Sequence, residues 1–182
     1  VLNTTASYAL DAAVAGLTLN ADGSYSFDPS DAAYQYLAEG EELEVVATFT
    51  VTDDQGATSS NTLTITVTGT NDAPVAAVAV DTATEDGAVI TGSVSSSDVD
   101  VLNTTATYAL DAAVAGLTMA ADGSYSFDPS NAAYQSLAAG ETLDVVAAFT
   151  VTDDQGATSS NTLTITVTGT NDAPVAAVAV DT

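Results

Sequence analysis

The sequence predicts an all-β chain: two-sheet sandwiches repeated in tandem, with about seven strands per unit and one short helical turn. Three observations carry this. Apolar and polar residues alternate at period two through long stretches, as in "NTLTITVTG" at 61–69. Short apolar runs are separated by turn signals built on Gly, Asp and Pro. The pattern then returns one hundred residues on: "VLNTTASYALDAAVAGLT" at Val1 reappears as "VLNTTATYALDAAVAGLT" at Val101. A period this long is a whole small domain, not a solenoid turn.

The elements follow in order. In "NTLTITVTG", Leu63, Ile65 and Val67 face one way and the threonines the other, which describes a half-buried antiparallel strand. "VVATFTVTD" (45–53) alternates likewise, with Phe49 and Val51 inward, and "DDQGAT" between the two reads as a turn with positive φ at Gly56. Upstream, "GLTLNADGSYSFDP" (16–29) is a second hairpin with Asp22-Gly23 at its turn and Tyr25 and Phe27 on one face. "PSDAAYQYLAEGEE" breaks the alternation; Ser30 or Asp31 can cap a short helical turn presenting Tyr34 and Leu37, and Gly40 ends it. "PVAAVAV" (74–80), "GAVITGSV" (87–94) and "ATYALD" (106–111) supply three more strands. A complete seven-strand unit therefore runs over 71–170, a sandwich of immunoglobulin type. Residues 1–70 read as the last five strands of a preceding unit and 171–182 as the first strand of a following one, so the chain is expected to be an excerpt of a longer protein.

Composition narrows the function. The chain has 25 acidic residues and no Lys, Arg or His, a formal charge of −25. Nucleic acid and anionic membrane are excluded as partners, because both need basic side chains. No apolar run is long enough to span a bilayer. With no His, Cys or Lys there is no ordinary base or nucleophile near neutral pH, and the chain is not expected to be an enzyme. Adjacent Asp53 and Asp54 point to opposite sides of an extended chain and cannot form a dyad.

The acids are not spread evenly. In a seven-strand sandwich alternate loops share a pole. One pole is expected to collect Asp98 and Asp100 from "SSDVDVLN", Asp153 and Asp154 from "TDDQGA", and Asn71 and Asp72 from the "GTNDAP" linker. The other pole carries Glu85 and Asp86 in "ATEDG" and Glu141 from the region before the sixth strand, beside the next linker, Asn171 and Asp172. Gathered carboxylates are unfavourable unless a cation sits among them. Ca²⁺ suits oxygen-only donors, whereas zinc would want His or Cys. Each motif alone also reads as a solvated turn; it is their convergence that points to metal. Asp11, Asp22, Asp28 and Asp122 are assigned to turns and solubility, and Tyr25, Phe27, Tyr34 and Phe49 to the core.

"GLTLNADGSYSFDPS", "AAYQYLAEGEE", "FTVTDDQGATSSNTLTITVTGTNDAPV" and "DTATEDG" together resemble the VCBS and cadherin-like repeats of giant bacterial RTX adhesins and biofilm-associated surface proteins, over essentially the whole chain. "NDAP" is similar to the cadherin linker motif, and Asp98-Val99-Asp100 to the cadherin D-x-D element. The D-x-D is followed here by "VLNTT" where family members often place Gly and a further Asp, so that either a ligand is missing there or Asn103 substitutes for it. The resemblance implies an immunoglobulin-like extender repeat, secreted to the bacterial cell surface, folding outside the cell and stiffened by calcium at its junctions. Its partners would be neighbouring repeats of the same chain. Two alternatives stay open: a matrix or filament subunit that self-associates by edge-strand complementation, and a carbohydrate- or cell-binding module. Tyr36 is the only aromatic suited to a sugar platform, and its counterpart is Ser136.

Overall fold

The computed structural model describes residues 6–100, 105–174 and 176, so Asn103 lies outside the described residues. Two compact units form, one of 1–72 with 99–103 and one of 73–98 with 104–182.

Unit 1 holds β1 (Ala6–Leu10), β2 (Leu17–Leu19), β3 (Tyr25–Phe27), β4 (Glu42–Asp53) and β5 (Thr58–Thr68). A three-stranded sheet runs β1-β4-β5, and β2 and β3 form the second layer as a hairpin. The long hairpin is antiparallel from Glu42↔Thr68 to Thr52↔Thr58, the register that the alternation requires. Gly56 (φ 83°) and Gly23 (φ 87°) sit at the two turns, in the left-handed region that only glycine enters freely.

Unit 2 is the fuller body. It adds β6 (Val75–Ala76), β7 (Ala79–Thr84), β8 (Ile90–Ser93) and β9 (Ser96–Ser97) to the counterparts β10 (Thr107–Leu110), β11 (Leu117–Met119), β12 (Ser124–Phe127), β13 (Thr142–Thr152) and β14 (Thr158–Thr168). One sheet runs β10-β13-β14-β7, the other β11-β12-β8, with β6 paired to β9.

Three details differ from the sequence expectation. The run 74–80 is not one strand. β6 pairs antiparallel with β9, and β7 then joins the other sheet, parallel to β14. An uninterrupted apolar run has no period to mark such a crossing. The run 87–94 likewise starts late, because Gly87 N donates to Thr84 O (2.9 Å) and closes the turn first. The helical turn expected after Ser30 takes the form of successive tight turns, Tyr34 N to Asp31 O at 3.0 Å and Leu37 N to Tyr34 O at 3.2 Å, with no helix among the described residues. Asp31 Oδ1 accepts from Ala33 N, the local bond by which Asp competes with helix continuation.

The core of unit 2 centres on Phe127, Phe149, Val151, Leu163, Ile165 and Val167, each 0% exposed. Unit 1 buries a smaller cluster of Tyr34, Leu37, Val45 and Val67. In both units the tyrosine of the tight turns is tied down twice. Tyr34 Oη donates to Ala15 O and Tyr134 Oη to Ala115 O, both at 2.6 Å, and their rings lie 5.3 Å from Phe27 and Phe127.

A further tyrosine latches β12 to β7. Tyr125 Oη donates to Asp81 Oδ2 at 2.7 Å, and Gly92 beside it leaves the room that the phenol fills. Burial first, then the Asp81 carboxylate, push the Tyr125 phenol up to about 12 from 10.0. A phenol whose folded pKa is raised contributes stability that is complete below its unfolded pKa and is lost as pH rises through the folded value. The stability of unit 2 to urea is therefore expected to fall between pH 10 and about 12, and Tyr125→Phe to remove much of that loss; an unchanged alkaline slope in the variant would refute the latch.

Candidate functional site

Each acidic motif is placed by a turn, and the turns decide what its oxygens do. Asp22 Oδ1 accepts from Ser24 N (2.9 Å) and Ser24 Oγ (2.6 Å); Asp122 repeats this with Ser124, and Asp28 does the same with Ser30. The serine hydroxyl, then the serine amide, hold all three carboxyls below the usual range. These are turn caps, as the sequence suggests. Asp11 serves a neighbouring strand, accepting from Thr50 Oγ1 at 2.6 Å.

The "DDQG" loop uses its first Asp internally. Asp153 Oδ1 accepts from Gln155 N (2.9 Å) and Ala157 N (2.8 Å), and Asp53 does the same in unit 1. Asp153 is 7% exposed, whereas Asp154 is open to solvent.

Two sequence-distant encounters stand out. In unit 1 the amide of Asp72, in the linker motif, donates to Asp100 Oδ2 at 2.8 Å, joining the "NDAP" and D-x-D elements across 28 residues. Asp100 is 2% exposed. In unit 2, Glu85 is 1% exposed. Its amide donates to Thr168 O (2.9 Å) and its Oε2 accepts from Thr170 N (2.8 Å), so it ties the end of β7 to the chain leaving β14. Glu85 Oε1 is buried and has no hydrogen-bond partner among the described residues. Its neighbour Asp86 is exposed and holds φ 59°, a left-handed turn conformation that Asp tolerates.

The other predicted residues divide plainly. Asn71 and Asp98 are half-buried; Asn171 and Asp172 are exposed, with Asn171 Nδ2 donating to Asp172 O at 3.2 Å. Among the described residues no three acidic side chains come together in an arrangement that holds an ion. Glu141 serves its own turn, accepting from Ala138 N at 2.9 Å. Asp81 was not legible as a partner of Tyr125, because nothing in "VAVDTAT" distinguishes an Asp that accepts a phenol from one that faces water.

The donors do fit a hard cation. A carboxylate as buried as Glu85 is costly without a counter-charge, and the chain contains no basic side chain to supply one. All available ligands are oxygens, the set that Ca²⁺ takes.

Strands in two layers with a parallel first strand, acidic turns and an Asp-bearing linker define a sandwich of cadherin type. Among solved structures, human CDH23 EC21-23 superposes with a TM-score of 0.58 at 16% identity, covering 93% of this chain and 59% of that one. Protocadherin gamma B7 cadherin domains 1-4 gives 0.54 at 16%, covering 91% and 42%. Mouse protocadherin-24 EC1-3 gives 0.53 at 12%, covering 91% and 58%. The chain thus spans well under two thirds of these chains. Residues 71–169 match the bacterial cadherin-like domain family, and the chain belongs to that family. It is a structural and adhesive fold, not an enzymatic one. No curated protein sequence matches the chain, and no described helix is long and apolar enough to cross a membrane.

Proposed function

We propose that this chain is a calcium-stiffened extender segment of a large bacterial surface adhesin of the RTX or biofilm-associated kind. Its repeats, outside the cell, would project adhesive domains away from the surface. The repeats would be units 1–70 and 71–170, with 171–182 opening the next. The observation that carries the reading is Glu85, a buried carboxylate with a buried, unpartnered oxygen in a chain that has no basic side chain. Ca²⁺ would draw on Glu85 with Asp86, Asn171 and Asp172, and equivalently on Asn71, Asp72, Asp98, Asp100, Asp153 and Asp154. Bound there, it would neutralise the acids and restrain bending between successive repeats.

The test is the thermal unfolding midpoint across a Ca²⁺ titration, with Mg²⁺ as control. For a site with Kd ~0.1 mM at ~10 mM Ca²⁺, binding adds roughly 2.7 kcal/mol. On a domain this size that raises the midpoint by about 10–20 °C. A midpoint that follows ionic strength alone, with Mg²⁺ as effective as Ca²⁺, would sink the calcium mechanism.

A further inference from the structure

Three Asp-Gly pairs occur in the chain: Asp22-Gly23, Asp86-Gly87 and Asp122-Gly123. Glycine has no Cβ to shield its amide, so that amide can come close to the carboxyl of the aspartate before it. In each pair the glycine amide makes one turn bond, to Asn20 O, Thr84 O and Ala120 O at 2.9, 2.9 and 3.0 Å. On that count the three are equal. They differ in what holds the carboxyl and in what flanks the turn.

Asp22-Gly23 closes the β2-β3 hairpin and Asp122-Gly123 the β11-β12 hairpin, so strand pairing locks both sides of each turn. Each aspartate also sets Oδ1 on the amide and the hydroxyl of a serine, Ser24 or Ser124, at 2.9 and 2.6 Å. Those bonds must break before the carboxyl carbon can turn to the glycine nitrogen. The hydroxyl, then the amide, also hold both groups below the usual carboxylate range, whereas only the neutral acid can lose water.

Asp86 has neither restraint. Its turn leaves β7 in one sheet and enters β8 in the other, so no ladder pairs its two sides. Residues 87–89 belong to no strand, and Val89 is 56% exposed. A turn without a ladder opens at lower cost. The Asp86 side chain is exposed, and among the described residues no hydrogen bond caps its carboxylate. Asp86 is also the only described non-glycine residue with positive φ, a conformation that disfavours an L-residue. The fold itself demands the reactive neighbour, because a Cβ at position 87 would lie 2.7 Å from Thr84 O.

We propose that Asp86-Gly87 is a site of spontaneous backbone modification, where aspartate converts to isoaspartate through a succinimide. Gly87 N bonds to Asp86 Cγ, and the carboxyl OH leaves with the amide proton as one water. A second water opens the ring at either carbonyl, giving back aspartate or an isoaspartyl link whose main chain runs through Cβ and Cγ. The link adds one backbone atom directly after Glu85, whose amide and Oε2 tie the end of β7 to Thr168 O and Thr170 N. The inference does not rest on the calcium reading and is measured in chelator.

The full chain is incubated at neutral pH in heavy-oxygen water, since each opening of the ring writes one heavy oxygen into the site. Chymotrypsin then cuts it, there being no lysine or arginine for trypsin, and fragmentation in the mass spectrometer locates the label. Label is expected at Asp86 at about ten times the rate at Asp22 or Asp122, the factor that one charge-assisted bond left to break is worth. Asp86→Gly, which suits the positive φ, should carry no label at that position. Asp86→Asn and Asp22→Asn give a second reading: ammonia should be lost about ten-fold faster from the first. In urea the three aspartates of the parent chain should label at similar rates, which assigns the ranking to the fold. Equal rates in the folded chain, no label at Asp86, equal loss of ammonia from the two asparagine variants, or a ranking that persists in urea would each overturn the proposal.

Discussion

Phe149→Ala is expected to destabilise unit 2 by about 3–5 kcal/mol, and Phe49→Ala to destabilise unit 1 by about half that or less. The two phenylalanines occupy the same position of the same strand, opposite Asn161 and Asn61 respectively. Each lies near a tyrosine ring, Tyr108 at 6.4 Å and Tyr8 at 6.2 Å. Their difference lies in the surroundings. Phe149 is 0% exposed within a continuous core, whereas Phe49 is half-buried and outside the main cluster of unit 1. Truncation of a ring costs the transfer energy of the atoms lost plus the cavity left behind. A ring already part-wetted loses less of the first and leaves little of the second. Urea unfolding of the two variants against the parent chain measures both. Equal losses would mean that Phe49 is as enclosed as Phe149.

Much of the fold was legible because alternation is strong where one face is buried. The Leu63-Ile65-Val67 stripe, its counterpart in Phe49 and Val51, and the glycine turns at 23 and 56 fell where the sequence put them. Besides the turns after Ser30, and Tyr25, which is 54% exposed and not in the core, the exception is the stretch 74–97. Its first strand is apolar throughout, so neither the crossing between sheets nor the parallel pairing with β14 leaves a mark in the pattern. The acids follow the same logic. Caps such as Asp22 and Asp28 were readable because the partner lies two residues away. Contacts such as Asp72 with Asp100, Glu85 with Thr170 and Tyr125 with Asp81 span 28, 85 and 44 residues. Only the folded chain defines them. Among the acids the motifs single out, Asp100, Asp153 and Glu85 each set one oxygen on a backbone amide, which the motifs do not announce.

Glu85→Gln separates a metal ligand from a structural carboxylate. The amide is nearly isosteric and its oxygen can still accept from Thr170 N, the 2.8 Å bond that Oε2 makes now. What it removes is the charge. Without divalent ions, burying that charge in a chain devoid of basic side chains is a cost, so the variant should be as stable as the parent or more stable by about 1 kcal/mol. With Ca²⁺ the order should invert, because the variant loses most of the calcium-dependent gain. Glu85→Ala behaves differently: it leaves Thr170 N without its acceptor and opens a cavity, costing about 1–3 kcal/mol with or without the ion. Unfolding midpoints of the three proteins in chelator and in millimolar Ca²⁺ read the outcome. A Gln variant that keeps the full calcium response would remove Glu85 from the ligand set. One that is weaker than the parent in chelator would show that the charge serves the protein's own donors, and the buried oxygen would then no longer argue for an ion.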